Sequence, residues 1–597
     1  VTAPRSERAE TWTACALLVA ACAGLVAHAR YLGVPVVDDA AISLAYGRTF
    51  FEGAGLRVTP LSQPVEGFSN PLWTLLLGLA FPLHLDPERY AASLGLLLGT
   101  LALPLFALWG PAAEGRRLRL EDALPALVAS ASPTYAAWVC SGMETGLQAL
   151  LLALAGAWGL RELRTGQDAR AGWALGLLCL TRPEGLLYAG AAGALWLGVR
   201  TLQRRAPGRQ ELRQLLGLLV PVLGWLAVRW GYFADLLPNT YYAKRLWEFG
   251  AAAYLSNFRT AHPALTHLAL GLLALGLLVP SPVRRRALLT LLLLGAGVLF
   301  VYQSKGDWMR EWRFLAPLVP LLGCALAAGL SALRPALQGV LPAVGALALL
   351  TGAVGAEGLH RSPAVRRSPE LPYRYVAQQF EGVRAQAQAL GQRHALLGFP
   401  DLGGQALLLR EAEVVDVAGL ADYALAHHAG NLRALDDYLV SEGPPVLLDA
   451  HGPSGHLREL RGLMARFERD GSGRYVLRGL SASEDPRCPG GKAATLALAP
   501  PAQVQAFAKD VAEDAPEQAL GRWRCLRAYL DDAQLPSREG REQLARQAEA
   551  RAEAHLAAGE RLPALRHLSL ATLLSDGDAH RRRRTEQLRA ELFPRAP

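Results

Sequence analysis

The sequence predicts an α-helical polytopic membrane protein with a soluble part at its C-terminal side. Three observations lead there. First, 51% of the 597 residues are hydrophobic, 19% are charged, and the mean hydropathy is +0.18, more apolar and less charged than a soluble domain. Second, the distribution is uneven. From Thr11 to about Gly355 Leu, Ala, Gly and Val dominate; from there to Pro597 the chain is charged, with no further run long enough to span a bilayer. Third, arginines cluster between the apolar runs: Arg116, Arg117 and Arg119; Arg161, Arg164 and Arg170; Arg204, Arg205, Arg209 and Arg213; Arg284 to Arg286. That is the positive-inside pattern of cytoplasmic loops. It accounts for the net charge of +9 without a nucleic-acid partner, and none is expected.

The elements follow in order from this charge rule. Arg5 and Arg8 place a first helix, about 12–29, with its N-terminus inside; with no small-residue cleavage site it reads as a retained helix and not a signal peptide. Residues 30–70 then face outside. The run 71–85, from "NPLW" to "HLDPERY", lies in the outer leaflet, because a full crossing would carry "EGRRLRLED" outside. Crossings follow at about 90–110, 122–140 and 143–160. "AGWALGLLCLTRPEGLLYAGAAGALWLGV" is flanked by basic loops on both sides, so it forms a hairpin of two short helices with Arg182, Pro183 and Glu184 at its tip. Further crossings at about 214–231, 264–280, 287–304, 313–333 and 336–356 bring the total to about eleven, with the C-terminal side outside. The expected division is 1–357 transmembrane, 358–500 extracytoplasmic and 501–597 a helical, charged tail. Between 360 and 500 helical stretches alternate with β-like runs, "HALLGFPDLGG", "AEVVDVAGL", "PPVLLDAH" and "GRYVLRGL", which suggests a small α/β layer.

This topology gathers polar residues on the outer face: Asp38, Asp39, Glu66, Asn70, Glu144, Arg182, Glu184, Asn239, Lys244, Lys305, Asp307, Arg310, Glu311 and Arg313. Aromatic residues such as Trp73, Tyr241 and Trp308 lie beside them. An interfacial belt of aromatics and snorkelling cations accounts for the aromatics and for Lys244. It does not account for acids set between apolar runs, as in "SGMETG" and "LTRPEGLL", and ionisable groups at such depth mark function by default. Cations there suit a lipid-anchored phosphate, which they neutralise as it leaves. A carboxylate suits the proton of an acceptor hydroxyl. Adjacent Asp38 and Asp39 precede a helix that begins near Ala40. One of them serves as its N-cap; the second is left for chemistry, or both only cap.

Seven stretches resemble, in order, the signatures of C-type (GT-C) membrane glycosyltransferases, in particular the terminal β-(1→2)-arabinofuranosyltransferase group and its bacterial relatives. They are "VDDAAISLAYGRTFFEGAGL", "PVEGFSNPLW", "SGMETGL", "LTRPEGLL", "LLPNTYYAK", "KGDWMREWRFLAPLVPLL" and "DLGGQALLLREAEVVDVAGLAD", covering about 35 to 430. The resemblance implies an inner-membrane enzyme that moves a sugar from a polyprenyl-phosphate donor to an envelope glycan, lipid or protein outside the cytoplasm, with inversion. It implies that Asp38 or Asp39 is the catalytic base. With charge logic it assigns Lys244, Arg182, Arg310 and Arg313 to the donor phosphate, and Glu66, Asn70, Glu144, Glu184, Asn239, Tyr241 and Asp307 to sugar or acceptor. "KGDWMREWRF" and "GFSNPLW" depart from the family forms "GGDW…RF" and "GYTHPLW", which leaves the sugar open. No cofactor is assigned with certainty, and a divalent metal stays open. The alternatives are a transporter of a lipid-linked saccharide and a non-catalytic envelope or motor-control protein.

In the C-terminal part, Cys488 and Cys525 are the only cysteines, and outside the cytoplasm they could form one disulfide. Asp401, Asp416 and Asp422 are expected in turn or cap roles. His427, His428 and the run "HRRRR" are expected on solvated faces.

Overall fold

Leu- and Ala-rich runs satisfy their backbone in an apolar medium only as helices. Among the described residues, most of each run assigned above to a span is helical in the computed structural model. The structure describes residues 5–204, 208–279, 282–337, 340–408, 410–442, 444–449, 452–469, 474–576 and 578–594, so Arg205 of the third basic cluster lies outside the described residues. Among them, six helices are long and apolar enough to cross a membrane: Glu7–Leu32, Pro87–Glu114, Arg209–Phe233, Val283–Gln303, Ala316–Leu337 and Leu341–Arg367. The chain is a multi-pass membrane protein, mostly helical. Two further apolar pairs are bent, Leu120–Ala131 with Pro133–Cys140 by 69° and Ala251–Ala261 with Pro263–Leu278 by 97°. The run expected as one span at 122–140 is therefore broken, because Pro133 opens a new helix that Ser132 caps through Tyr135 N (3.4 Å). Pro71–Gly78 has eight residues, too few to cross. The hairpin is present as Arg170–Thr181 and Gly185–Leu202.

The chain folds as two units, one made of Val1–Ala40, Ser69–Trp225 and Glu248–Pro372, the other of Ala41–Phe68, Leu226–Trp247 and Tyr373–Pro597. In the first unit some basic-loop charges are structural. Asp122 is buried between Arg286 (3.0 Å) and Arg116 (2.7 Å), and Arg334 ties Glu121 (2.7 Å) to Glu10 (2.6 Å).

In the second unit a five-stranded sheet has the order β2-β1-β3-β5-β4, with β1 (Leu396–Phe399) parallel to β2 (Glu413–Asp416) and β3 (Leu447–Leu448). β4 (Phe467–Arg469) and β5 (Tyr475–Leu477) close it antiparallel. Leu396, Val415, Leu435, Leu448 and Phe467 fill its core. Five helices from Pro500 to Leu592 follow, packed on Phe507, Trp523, Leu526 and Leu570, and a disulfide joins Cys488 to Cys525. The early segments are tied into this unit: Thr59 Oγ1 donates to Ala412 O (2.9 Å) and Arg527 to Leu61 O (2.8 Å).

Three expectations for this unit are corrected or refined. "HRRRR" is only partly a solvated face: His580 is exposed, but Arg582 is buried and donates to the carbonyls of Pro64 (2.9 Å) and Phe233 (3.3 Å), while Arg581 pairs with Glu542 and Glu549. His428 is buried against Glu586 (2.8 Å), and His427 lies between the rings of Tyr242 and Tyr423, 2.9 Å from Asp235. His428 is therefore not a surface residue, and His427 is half-buried. Asp416 accepts from Ala418 N and Ala421 N, and Asp422 caps Tyr423–His427 through Leu425 N, as turn and cap roles require.

Candidate active site

The helix that was expected to start near Ala40 starts at Asp38 and runs to Phe51. Both aspartates therefore sit in its first turn, where negative charge is favoured. The main chain there is fixed by Val37 N to Ser141 O (3.0 Å) and Asp38 N to Leu371 O (3.1 Å). Asp38 is 7% exposed and the Asp39 side chain 26%. Asp39 Oδ2 accepts a hydrogen bond from Arg313 Nη1 at 2.7 Å. Starting a helix does not need a guanidinium from the far end of the unit. Asp39 does more than cap.

Arg313 belongs to "KGDWMREWRF", which is irregular because Lys305, Gly306, Glu311 and Trp312 all have positive φ, comfortable only for the glycine. The turns bring Asp307 back onto Arg313, with Oδ2 2.7 Å from Nε and Oδ1 3.1 Å from Nη2. Met309 Sδ lies 3.0 Å from Nη1.

The hairpin tip supplies the other half. Arg182 forms ion pairs with Glu144 and Glu184. Asn70 Nδ2 donates to Glu144 Oε2 (2.7 Å), Thr74 Oγ1 to Asn70 Oδ1 (3.0 Å), and Gln148 Nε2 to Glu184 Oε1 (3.1 Å). The halves share one ring: the guanidinium carbons of Arg182 and Arg313 lie 5.2 and 5.0 Å from the centroid of Phe314, within cation–π range. Two guanidiniums thus serve four carboxylates, Asp39, Asp307, Glu144 and Glu184. Buried charges persist only when paired in this way. Among the described residues Glu184 Oε2 is buried and accepts no hydrogen bond, leaving an acceptor inside the cluster. Next to Val37 a small pocket of about 10 Å³ lies between Val37, Trp138, Ser141, Arg310, Glu311 and Glu370.

Asp39, Asn70, Glu144, Arg182, Glu184, Asp307 and Arg313 are therefore linked in the first unit. Arg310 is exposed at this pocket, its backbone N bonded to Glu370. Glu66, Asn239, Tyr241 and Lys244 belong to the second unit. There Glu66 pairs with Arg229 (2.5 Å). Asn239 Nδ2 is committed to the carbonyls of Gly419, Leu420 and Asp422 at 2.8 to 3.0 Å. Tyr241 is exposed, and the Lys244 ammonium lies 5.6 Å from the Trp247 ring. Sequence reasoning missed Gln148, Thr74, Phe314 and Arg229. Gln148 was within reach, one helical turn after Glu144 and on the same face.

No family model matches the sequence, and no curated protein does. One solved structure with a TM-score of 0.50 shares its fold, that of the GT-C membrane glycosyltransferases. The chain is similar to ArnT from Cupriavidus metallidurans bound to undecaprenyl phosphate, with a TM-score of 0.50 and 16% identity over 78% of this chain and 98% of that one. It also matches an Archaeoglobus fulgidus oligosaccharyltransferase tethered to an acceptor peptide (TM-score 0.49, 12% identity, 79% of this chain and 74% of that one). A third match is the arabinofuranosyltransferase AftD from mycobacteria (TM-score 0.43, 17% identity, 72% and 36%). At such identities the likeness is one of fold.

Proposed function

We propose that this chain transfers a sugar from a polyprenyl-phosphate donor to an envelope glycan, lipid or protein, on the outer face of a bacterial inner membrane. One observation carries the reading: Asp39, the second of two aspartates at a helix start, is held by Arg313 within a cluster that also contains Arg182, Glu144 and Glu184. The undecaprenyl phosphate in the ArnT structure supports a lipid-phosphate donor. Arg182 and Arg313 stabilise the departing phosphate, exchanging part of their carboxylate contacts for it, while Arg310 adds charge; Lys244 is assigned to the donor phosphate by the family resemblance and charge logic alone. Asp39 is the more exposed aspartate and is oriented by Arg313; it takes the proton of the acceptor hydroxyl as that oxygen attacks the anomeric carbon. The polyprenyl phosphate leaves in the same displacement, so the product is inverted. Asp38 holds the turn, and Glu144 and Glu184 position sugar hydroxyls. About eleven crossings, including Thr145–Thr165 and the shorter helices Arg170–Thr181 and Gly185–Leu202, leave the C-terminal part from about residue 358 outside.

The test is transfer of label from radiolabelled polyprenyl-phosphate sugars in membranes holding wild type, Asp38→Asn or Asp39→Asn. The reading expects label in acceptor with wild type, and loss of turnover with retained donor binding in Asp39→Asn. Absence of donor consumption by wild type across pentosyl and hexosyl donors would sink it.

A further inference from the structure

We propose that Asp514, His555 and His567, in the C-terminal helices, form a zinc site. Asp514 lies in the turn between Pro500–Ala512 and Pro516–Tyr529, His555 in the last turn of Arg538–Ala557, and His567 within Arg561–Leu574. Both imidazoles aim Nε2 at the same carboxylate oxygen, Asp514 Oδ1, at 3.0 Å from His555 and 2.5 Å from His567. One donor atom from each residue lies within 4.8 Å of the others. Zinc held at about 2.0–2.1 Å sets tetrahedral donors about 3.3 Å apart. Seating it needs only a small outward shift of Asp514, which is 36% exposed, while His567 is fully buried.

A third residue outside the donor set points the same way. Glu560 Oε2 lies 2.6 Å from His555 Nδ1, the carboxylate contact that fixes the tautomer of a metal-bound histidine. With Nδ1–H donated to Glu560, the neutral ring turns its Nε2 lone pair toward a carboxylate. That arrangement is repulsive unless a cation or a proton lies between them. Two neutral imidazoles with Asp514 and Glu560 carry two negative charges, of which the nearby Arg551 offsets only one, so the cluster keeps a net negative charge that favours a bound cation. The nearby Arg551 guanidinium is engaged with Ala512 O at 2.6 Å. Two nitrogens and one oxygen exclude hard ions such as magnesium and calcium, and suit zinc with water in a fourth position. The ion would clamp one interhelical turn and two helices of the tail, whatever reaction the membrane part carries out.

The full-length chain, purified in detergent through a tag without histidines, is stripped with chelator, reloaded with zinc sulfate and desalted. Metal content and thermal unfolding are then measured for wild type, Asp514→Asn and His555→Gln; these positions are exposed enough to change without emptying the core, unlike His567. The site predicts about one zinc per wild-type chain, at least tenfold less in each variant, and a rise in unfolding temperature on loading in wild type only. Cobalt in place of zinc should give the visible absorption of a tetrahedral ion. Two results overturn the proposal: no zinc retained by wild type, which leaves a proton between the groups, or equal zinc in wild type and both variants.

Discussion

Arg313 holds Asp39 and Asp307 at once, so its fork and its charge can be separated by substitution. Arg313→Lys keeps the charge and loses the two-sided contact; transfer should fall at least tenfold while the unfolding temperature moves little. Arg313→Ala leaves Asp307 buried without its cation, and should destabilise the chain by about 3–5 kcal/mol, read by thermal unfolding in detergent. Phe314→Leu removes the ring shared by both guanidiniums and should lower stability by about 1–3 kcal/mol. The aspartate pair was legible in the sequence because two acids directly after an apolar run are costly without a purpose. Its partner was not. Asp39 and Arg313 lie 274 residues apart, and no local pattern records a contact between loops that only the packed bundle brings together.

Among the elements, the helices were readable because long apolar runs admit one backbone solution in lipid, and four strands because they alternate with turns. β4 escaped notice: a three-residue strand with two charged members, Glu468 and Arg469, has no apolar period and exists by pairing with β5. The basic run at 580–584 was partly misread for a related reason. Charge alone suggests solvent, whereas Arg582 is covered by tertiary packing and bonded to carbonyls that sequence cannot place nearby. The end of β2 makes a pH prediction. Burial pushes the Asp416 carboxyl up from 3.8 to about 7. The folded state therefore keeps a proton between about pH 4 and pH 7 that the unfolded chain has released, and stability from this group falls as pH rises through that window and is level above it. The change should be on the order of 2–4 kcal/mol. Wild type should melt lower at pH 8 than at pH 5 relative to Asp416→Asn, whose side chain does not titrate.

For the whole molecule, the charge rule makes a test of topology. A cysteine placed at the exposed Arg164 should react only with a membrane-permeant reagent, and one at the exposed Ser483 should react from outside with an impermeant one. Labelling of both from the same side would overturn the inside–outside assignment. The Cys488–Cys525 disulfide, spanning 37 residues, should be worth about 2–4 kcal/mol. Cys525→Ser should lower the unfolding temperature of the second unit, while the same substitution at the free Cys15 should not.

The second unit is gathered from three stretches, 41–68, 226–247 and everything from Tyr373 onward, and a ribosome releases them in that order. About 300 residues separate the first stretch from the last, so at about 5–20 residues per second the nascent 41–68 segment waits roughly 15–60 s before its partners exist. Arg48, which donates to the Ala406 carbonyl at 3.0 Å in the folded unit, Thr59 and the Pro64 carbonyl have no partner from the last stretch during that interval. A chain halted before Tyr373 would keep its membrane helices yet display two orphaned segments, which makes it a natural substrate for chaperones and quality-control proteases.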